Sequence, residues 1–230
     1  ARTLQLQSKL YQPTTTYTLV LFLNVAVQLD VYYGIHPELQ ELAICVAASV
    51  ASWALDEGLA VGLYANTTMY MPELGMTLPT GQDGSAEKIT SVESIVAEQL
   101  KRRRIHLPPS SNEEQRRRIM ETLARIQSYF GTPIEDLLQA ERGRLPAGAT
   151  VVVVTSAISD PLLEALARVR QSGHAVTVLF VGDVAIAPKL AGVTIYHLGG
   201  EETWKRLTAG YADKTDETAE KAIEAASFTL

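Results

Sequence analysis

Ser156, Asp160 and His197 are the residue types from which a serine hydrolase builds a nucleophile, an orienting acid and a base. Ser156 follows directly on an apolar run, ATVVVVT at 149–155. Acyl transfer needs the serine hydroxyl within hydrogen-bond reach of a His nitrogen that a third group orients. No G-x-S-x-G turn surrounds Ser156, so the fold itself would have to bring these three together. Other chemistry-bearing residues are thinly spread. His36, His106, His174 and His197 show no i, i+4 pairing suited to a metal, and each reads as a cap, strand-surface or turn residue. No two carboxylates face one another for acid–base work, and Asp56-Glu57 reads as a helix terminus. The single cysteine, Cys45, excludes an internal disulfide and, inside AICVAASVA, reads as an inert core thiol. There is no Walker loop, and no glycine cluster follows the first apolar run, so no nucleotide cofactor is expected.

The elements that must position these groups alternate along the chain. YTLVLFLN, from Tyr17, is a continuous apolar run, the pattern of a strand covered on both faces. It leads into Asn24-Val25-Ala26-Val27-Gln28. His36-Pro37-Glu38 opens a helix over about 37–57, with Gly58 just past its end. Its expected core stripe is Leu39, Leu42, Ala43, Val46, Val50 and Trp53. LAVGLYAN at 59–66 is a second strand, and 67–84 reads as an irregular hairpin. Residues 86–101 put Ile89, Val92, Val96 and Leu100 on one helical face. RRIHLP at 103–108 is a short strand. Ser111 to Glu114 and Thr132 to Glu135 read as capping boxes for helices to about 127 and 142. Strands at 149–155, 175–182 and 193–198 then alternate with helices at 160–173 and 201–209.

This alternation predicts one three-layer αβα domain around a mostly parallel, doubly wound, Rossmann-like sheet over 17–210. An extended lead-in precedes it over 1–16, and a helix or tail follows over 211–230. In such a sheet, ligands bind beyond the carboxyl ends of the strands, near the switch in strand order. The positions to inspect are therefore Asn24 to Asp30, Asn66, Thr155 to Asp160, and Gly182-Asp183.

Composition narrows the functional classes. The 230 residues are 47% apolar with a net charge of −6, enough for a sizeable core and without a global field for nucleic acid. Lys101 to Arg104 and Arg116 to Arg118 are local basic runs, either solvated faces or a docking patch for protein or phosphate. No apolar run reaches the roughly 18 residues of a membrane span, and no signal peptide is visible. An opening Ala1 in place of Met reads as the start of an excised fragment.

Several segments in order along the chain carry a family resemblance. They are the opening LQLQSKLYQPTTTYTLVLFLNVA, then IHPELQELAICVAASVASWALDEGLAVGLYAN, IHLPPSSNEEQRRRIMETLARIQ and LPAGATVVVVTS. Together they resemble the soluble region of the bacterial domain-of-unknown-function family fifty-eight, itself similar to a von Willebrand factor A domain. The resemblance implies a site at the top of the sheet that holds Mg²⁺ or Mn²⁺ through D-x-S-x-S, a Thr and a later Asp. Mapped here, Asn24, Ala26 and Gln28 stand for the Asp and two Ser, Thr132 matches the Thr, and Ser156 falls where the later Asp would be. The site is thus a degenerate metal-ion-dependent adhesion site, with no metal or other cofactor expected and those five positions as its partner-binding residues. Asp30 and Asp160 are the nearest carboxylates that could support a residual cation site. The resemblance also implies a non-catalytic protein-binding role on the cytoplasmic side of a membrane-anchored parent, beside a MoxR-type AAA+ ATPase. The segment 83–101 is longer than the family's usual connection, and its helix either packs on its own domain or docks a partner. A hydrolase acting through Ser156 and nucleic-acid binding through the basic runs are the competing readings.

Overall fold

The computed structural model describes residues 17–25, 36–69, 104–130, 132–183 and 190–210. The lead-in over 1–16, the helix expected at 86–101, the tail over 211–230, and Ala26, Gln28 and Asp30 lie outside the described residues. Six strands form the main sheet: β1 (Thr18–Leu23), β2 (Ala60–Ala65), β4 (Ile105–Ser110), β6 (Thr150–Thr155), β7 (Ala175–Phe180) and β8 (Val193–His197). Their spatial order is β4-β2-β1-β6-β7-β8. All pairs are parallel except β2 with β4, which is antiparallel. Helices cover both faces, as the alternation of elements predicts. Successive connections run outward in opposite directions from β1 and β6, which places the switch point between those two strands.

Alternation along each strand sorts the core into two layers. Leu19, Leu21 and Leu23 of β1 face the same side as Val61, Leu63, Val152 and Val154. That side is covered by α1 (Pro37–Asp56) and α2 (Glu113–Ala124), and Trp204 of α5, residues 201–210, packs against it. Val20 and Phe22 face the other way with Tyr64, Val151, Val153 and Val178. Helices α3 (Ile134–Glu141) and α4 (Asp160–Gln171) cover them through Leu137, Leu138, Leu162 and Leu166. Each large side chain so buried contributes about 1.5–3 kcal/mol before the entropy of ordering it is counted.

Helix α1 meets the sheet on a row other than the expected stripe. Leu39, Leu42 and Ala43 are buried as predicted, but the row continues through Ala47, Ala51 and Ala54. Trp53 points outward at 57% exposure, and Val46 and Val50 are only half-buried. The helix is apolar nearly all round, so polarity cannot choose its face; small side chains do, because they let the axis approach the sheet. Cys45 is exposed rather than a core thiol. Partial burial, with Glu41 adding to it, pushes its thiol above the ordinary range and keeps it a poor nucleophile. This same helix is long and apolar enough to cross a membrane, with mean hydropathy 1.3, although its alanine row is packed on the sheet.

The edge strand β4 carries Pro108 and Pro109, which suits an edge because proline cannot donate to a ladder. The register moves from Leu63↔Leu107 to Val61↔Ser110, so three steps on β4 match two on β2. The buried Gln115 of α2 repairs that bulge. Its Nε2 donates to the carbonyl of Val61 at 2.7 Å and to that of Pro108 at 3.0 Å. Gly62 is required opposite, since a Cβ there would lie 2.9 Å from Pro109 Cγ.

Two further departures concern helix ends. Helix α2 stops at Ala124, and Ile126–Phe130 forms β5, antiparallel to the short β3 (Thr67–Met69). The N-caps of α2 and α3 are Asn112 and Pro133, and neither makes a side-chain capping bond, so the two expected capping boxes do not form. By contrast, Ser159 caps α4, accepting from the Leu162 amide at 3.3 Å.

Candidate functional site

Three strand ends converge at the switch point. Asn24 follows β1, Asn66 follows β2, and Thr155 closes β6. All three continue the Phe22–Tyr64–Val153 side of the sheet by simple alternation, so they share the face covered by α3 and α4. Asn24 Nδ2 donates to Thr155 Oγ1 at 2.9 Å, and Asn66 Nδ2 donates to Asn24 Oδ1 at 2.8 Å. Asn66 Oδ1 in turn accepts from the Val25 amide at 2.8 Å. Thr155 Oγ1 donates to the Ala157 carbonyl at 2.7 Å and accepts from the Ala157 amide at 3.2 Å. The result is a neutral clasp across β2, β1 and β6, with its three side chains, Asn24, Asn66 and Thr155, all buried.

The clasp explains why a hard cation does not fit these residues. Mg²⁺ needs several oxygen ligands, with anionic ones to offset its dehydration. Asn24 supplies an uncharged oxygen that already accepts from Asn66, and Thr155 Oγ1 is committed three ways. Asp160 is exposed on the first turn of α4, and Asp183 Oδ1 accepts from the Glu201 amide at 2.8 Å, capping α5. Among the described residues no group of three or more His, Cys, Asp or Glu is placed to hold a metal.

Of the five expected site positions, Asn24, Thr132 and Ser156 are described, and all are buried. Asn24 belongs to the clasp. Ser156 has the opposite strand parity to Thr155 and follows it at the end of β6. Thr132 reaches the rim by a different route. Pairing of Thr67 with Phe130 holds the chain ahead of Thr132 beside Asn66, and α3 starts from there. Its Oγ1 is buried, makes no capping bond, and has no hydrogen-bond partner among the described residues. Asn66 and Thr155 are the clasp members that the motif mapping passes over. The signal for both was present: a polar residue ending a wholly apolar strand.

The hydrolase trio is not assembled. Thr155 pairs with Phe180 and Phe180 with His197, so His197 stands two strands from the end of β6, roughly 10 Å across the sheet. Its Nε2 lies 2.6 Å from the carbonyl oxygen of Gly182, and its ring packs on Phe180 at 5.6 Å between centroids. On α2, Arg116 pairs with Asp56, while Arg117 pairs with Glu114 and, at 2.7 Å, with Glu121. The bond from Arg117 holds the Glu114 carboxyl below its ordinary value. Two of the three basic residues in that run are thus neutralised locally.

A second polar cluster sits lower on the α3 side. Phe22 and Tyr64 stack at 5.1 Å, and Tyr64 meets the exposed His106 at 4.6 Å. Burial raises the Tyr64 phenol above its ordinary value. The Glu141 charge adds to the rise and Arg144 opposes it.

No family model and no curated protein matches this chain. Among solved structures, the chain is similar to the pilus adhesin SpaC from Lactobacillus rhamnosus GG. One crystal form aligns at TM-score 0.47 and 10% identity, covering 88% of this chain and 31% of that one. The open conformation of the same adhesin aligns at TM-score 0.46 and 10% identity, covering 88% and 30%. This chain therefore spans about a third of the length of the adhesin that it matches.

Proposed function

We propose that this chain is a non-catalytic protein-interaction module of von Willebrand factor A type, whose adhesion site has become a metal-free docking rim. The observation that carries the reading is the clasp. In this reading its atoms stand where a cation would bridge to a partner's acid; the support is that they hydrogen-bond to one another instead. The doubly wound strand order supports the same reading, because it sets Asn24 and Ser156 on either side of the switch point. A partner then engages the rim around Thr132 and Ser156 by shape and neutral hydrogen bonds. In this reading the partner is a MoxR-type AAA+ ATPase, and the parent protein is membrane-anchored with this module on the cytoplasmic side.

The test is a binding titration of the chain against such an ATPase with either Mg²⁺ or a chelator, keeping nucleotide absent. The expected dissociation constant is the same in both conditions and rises at least tenfold in Thr132→Arg and Ser156→Arg. Binding that collapses when the chelator is added refutes the metal-free rim. No binding in either condition refutes the partner.

A further inference from the structure

We propose that a cavity at the amino end of the sheet, opposite the rim, binds the phosphate group of a small organic molecule. The cavity measures about 490 Å³ and is bounded by Arg142, Leu145, Ala147, Arg168 and His174 among others. That volume is in the range of small-ligand sites and exceeds what inorganic phosphate would fill. Three features make it a site rather than a surface dent. First, Arg142 follows directly on α3, and its guanidinium makes no ion pair or hydrogen bond among the described residues. Second, Arg168 is held in place, with Nη1 on Gln139 Oε1 at 2.9 Å and Nη2 on Glu164 Oε2 at 3.3 Å. A guanidinium has five donors, so three remain for an anion. Third, His174 is 95% buried, and its Nδ1 has no partner among the described residues. The imidazole belongs to the lining of the cavity and is the buried polar group among its lining residues.

The carbonyl end of α4 lies here and would ordinarily repel an anion. Those carbonyls are covered: the Ser172 amide donates to Arg168 and Val169, its Oγ also donates to Arg168, and the Gly173 amide donates to Arg170. Two guanidinium groups then stand against the one exposed carboxylate that pairs with Arg168, Glu164. Leu145 and Ala147 offer an apolar wall for the organic part of the ligand.

The experiment uses the intact chain labelled with ¹⁵N in its histidines, titrated at fixed pH with inorganic phosphate and with phenyl phosphate. Sodium chloride holds the ionic strength constant. The expected result is a saturable shift of the His174 ring nitrogens, tighter for phenyl phosphate, with affinity at least tenfold weaker in Arg142→Gln. Arg168→Gln serves as a second variant should the first perturb the fold by circular dichroism. A shift that chloride reproduces, or an affinity unchanged in a folded variant, overturns the site. Equal affinity for the two probes overturns the apolar wall.

Discussion

At the carboxyl end of the sheet, Asn24, Asn66 and Thr155 satisfy one another with bonds of 2.8–2.9 Å. At the amino end, among the described residues, His174 keeps Nδ1 unpaired and Arg142 lines a cavity without an acidic partner. Both ends carry polar groups of one sheet, but the first is buried and closed upon itself, whereas at the second only His174 is buried and the arginines stay open to solvent. The difference separates two meanings of a polar residue near a sheet end. A saturated group stabilises the fold and resists ligands, because any ligand must first break bonds worth as much as those it offers. An unsaturated group costs the fold and gains when a ligand arrives. On the proposed reading a partner would therefore meet the rim beside the clasp and not through it.

Asn24→Ala is the sharpest way to break this contrast. It deletes one donor and one acceptor and strands Asn66 Nδ2 in the interior, so the expected loss is about 2–4 kcal/mol in urea denaturation. A loss below about 1 kcal/mol would mean that the strand ends do not depend on the clasp. Gln115→Leu comes next. It leaves the carbonyls of Val61 and Pro108 unpaired beside a bulge that Pro109 cannot bridge, and about 1–3 kcal/mol should be lost. Amide exchange at Val61 to Leu63 should rise in the same variant if the effect is local to β2 and β4.

The fold was legible because its strongest signals were local. The runs at 17–24, 59–66, 149–155 and 175–182 are too apolar and too short to be anything but buried strands, and Pro37, Gly58 and Pro161 punctuate the helices between them. What was not legible depended on partners distant in sequence. The strand at Ile126–Phe130 exists because it pairs with Thr67–Met69, nearly sixty residues earlier, and no glycine marks the end of α2 before it. The face of α1 was misread because alanine and valine look alike to a hydrophobic pattern while differing in the space they need. At the rim, Asn24 was legible as a polar residue ending an apolar strand, but its role required Asn66 and Thr155 from two other strands. His174 gave no sequence signal, since its burial and its missing partner arise from packing.

Tyr64 offers a comparison within a single face, because it lies between the saturated rim and the unsaturated base. Its phenol titrates above the ordinary value of about 10, chiefly through burial and then through the Glu141 charge. The folded pKa exceeds the unfolded one, so the contribution is intact below the unfolded value and fades as pH rises through the folded one. Stability should therefore show no Tyr64 dependence up to about pH 9.5, then fall more steeply in the wild type than in Tyr64→Phe. Phenylalanine retains the stack on Phe22, so the two proteins should match at neutral pH within about 1 kcal/mol. Parallel profiles above pH 10 would mean that the phenol is effectively solvated, and that the buried face loosens before its tyrosine ionises.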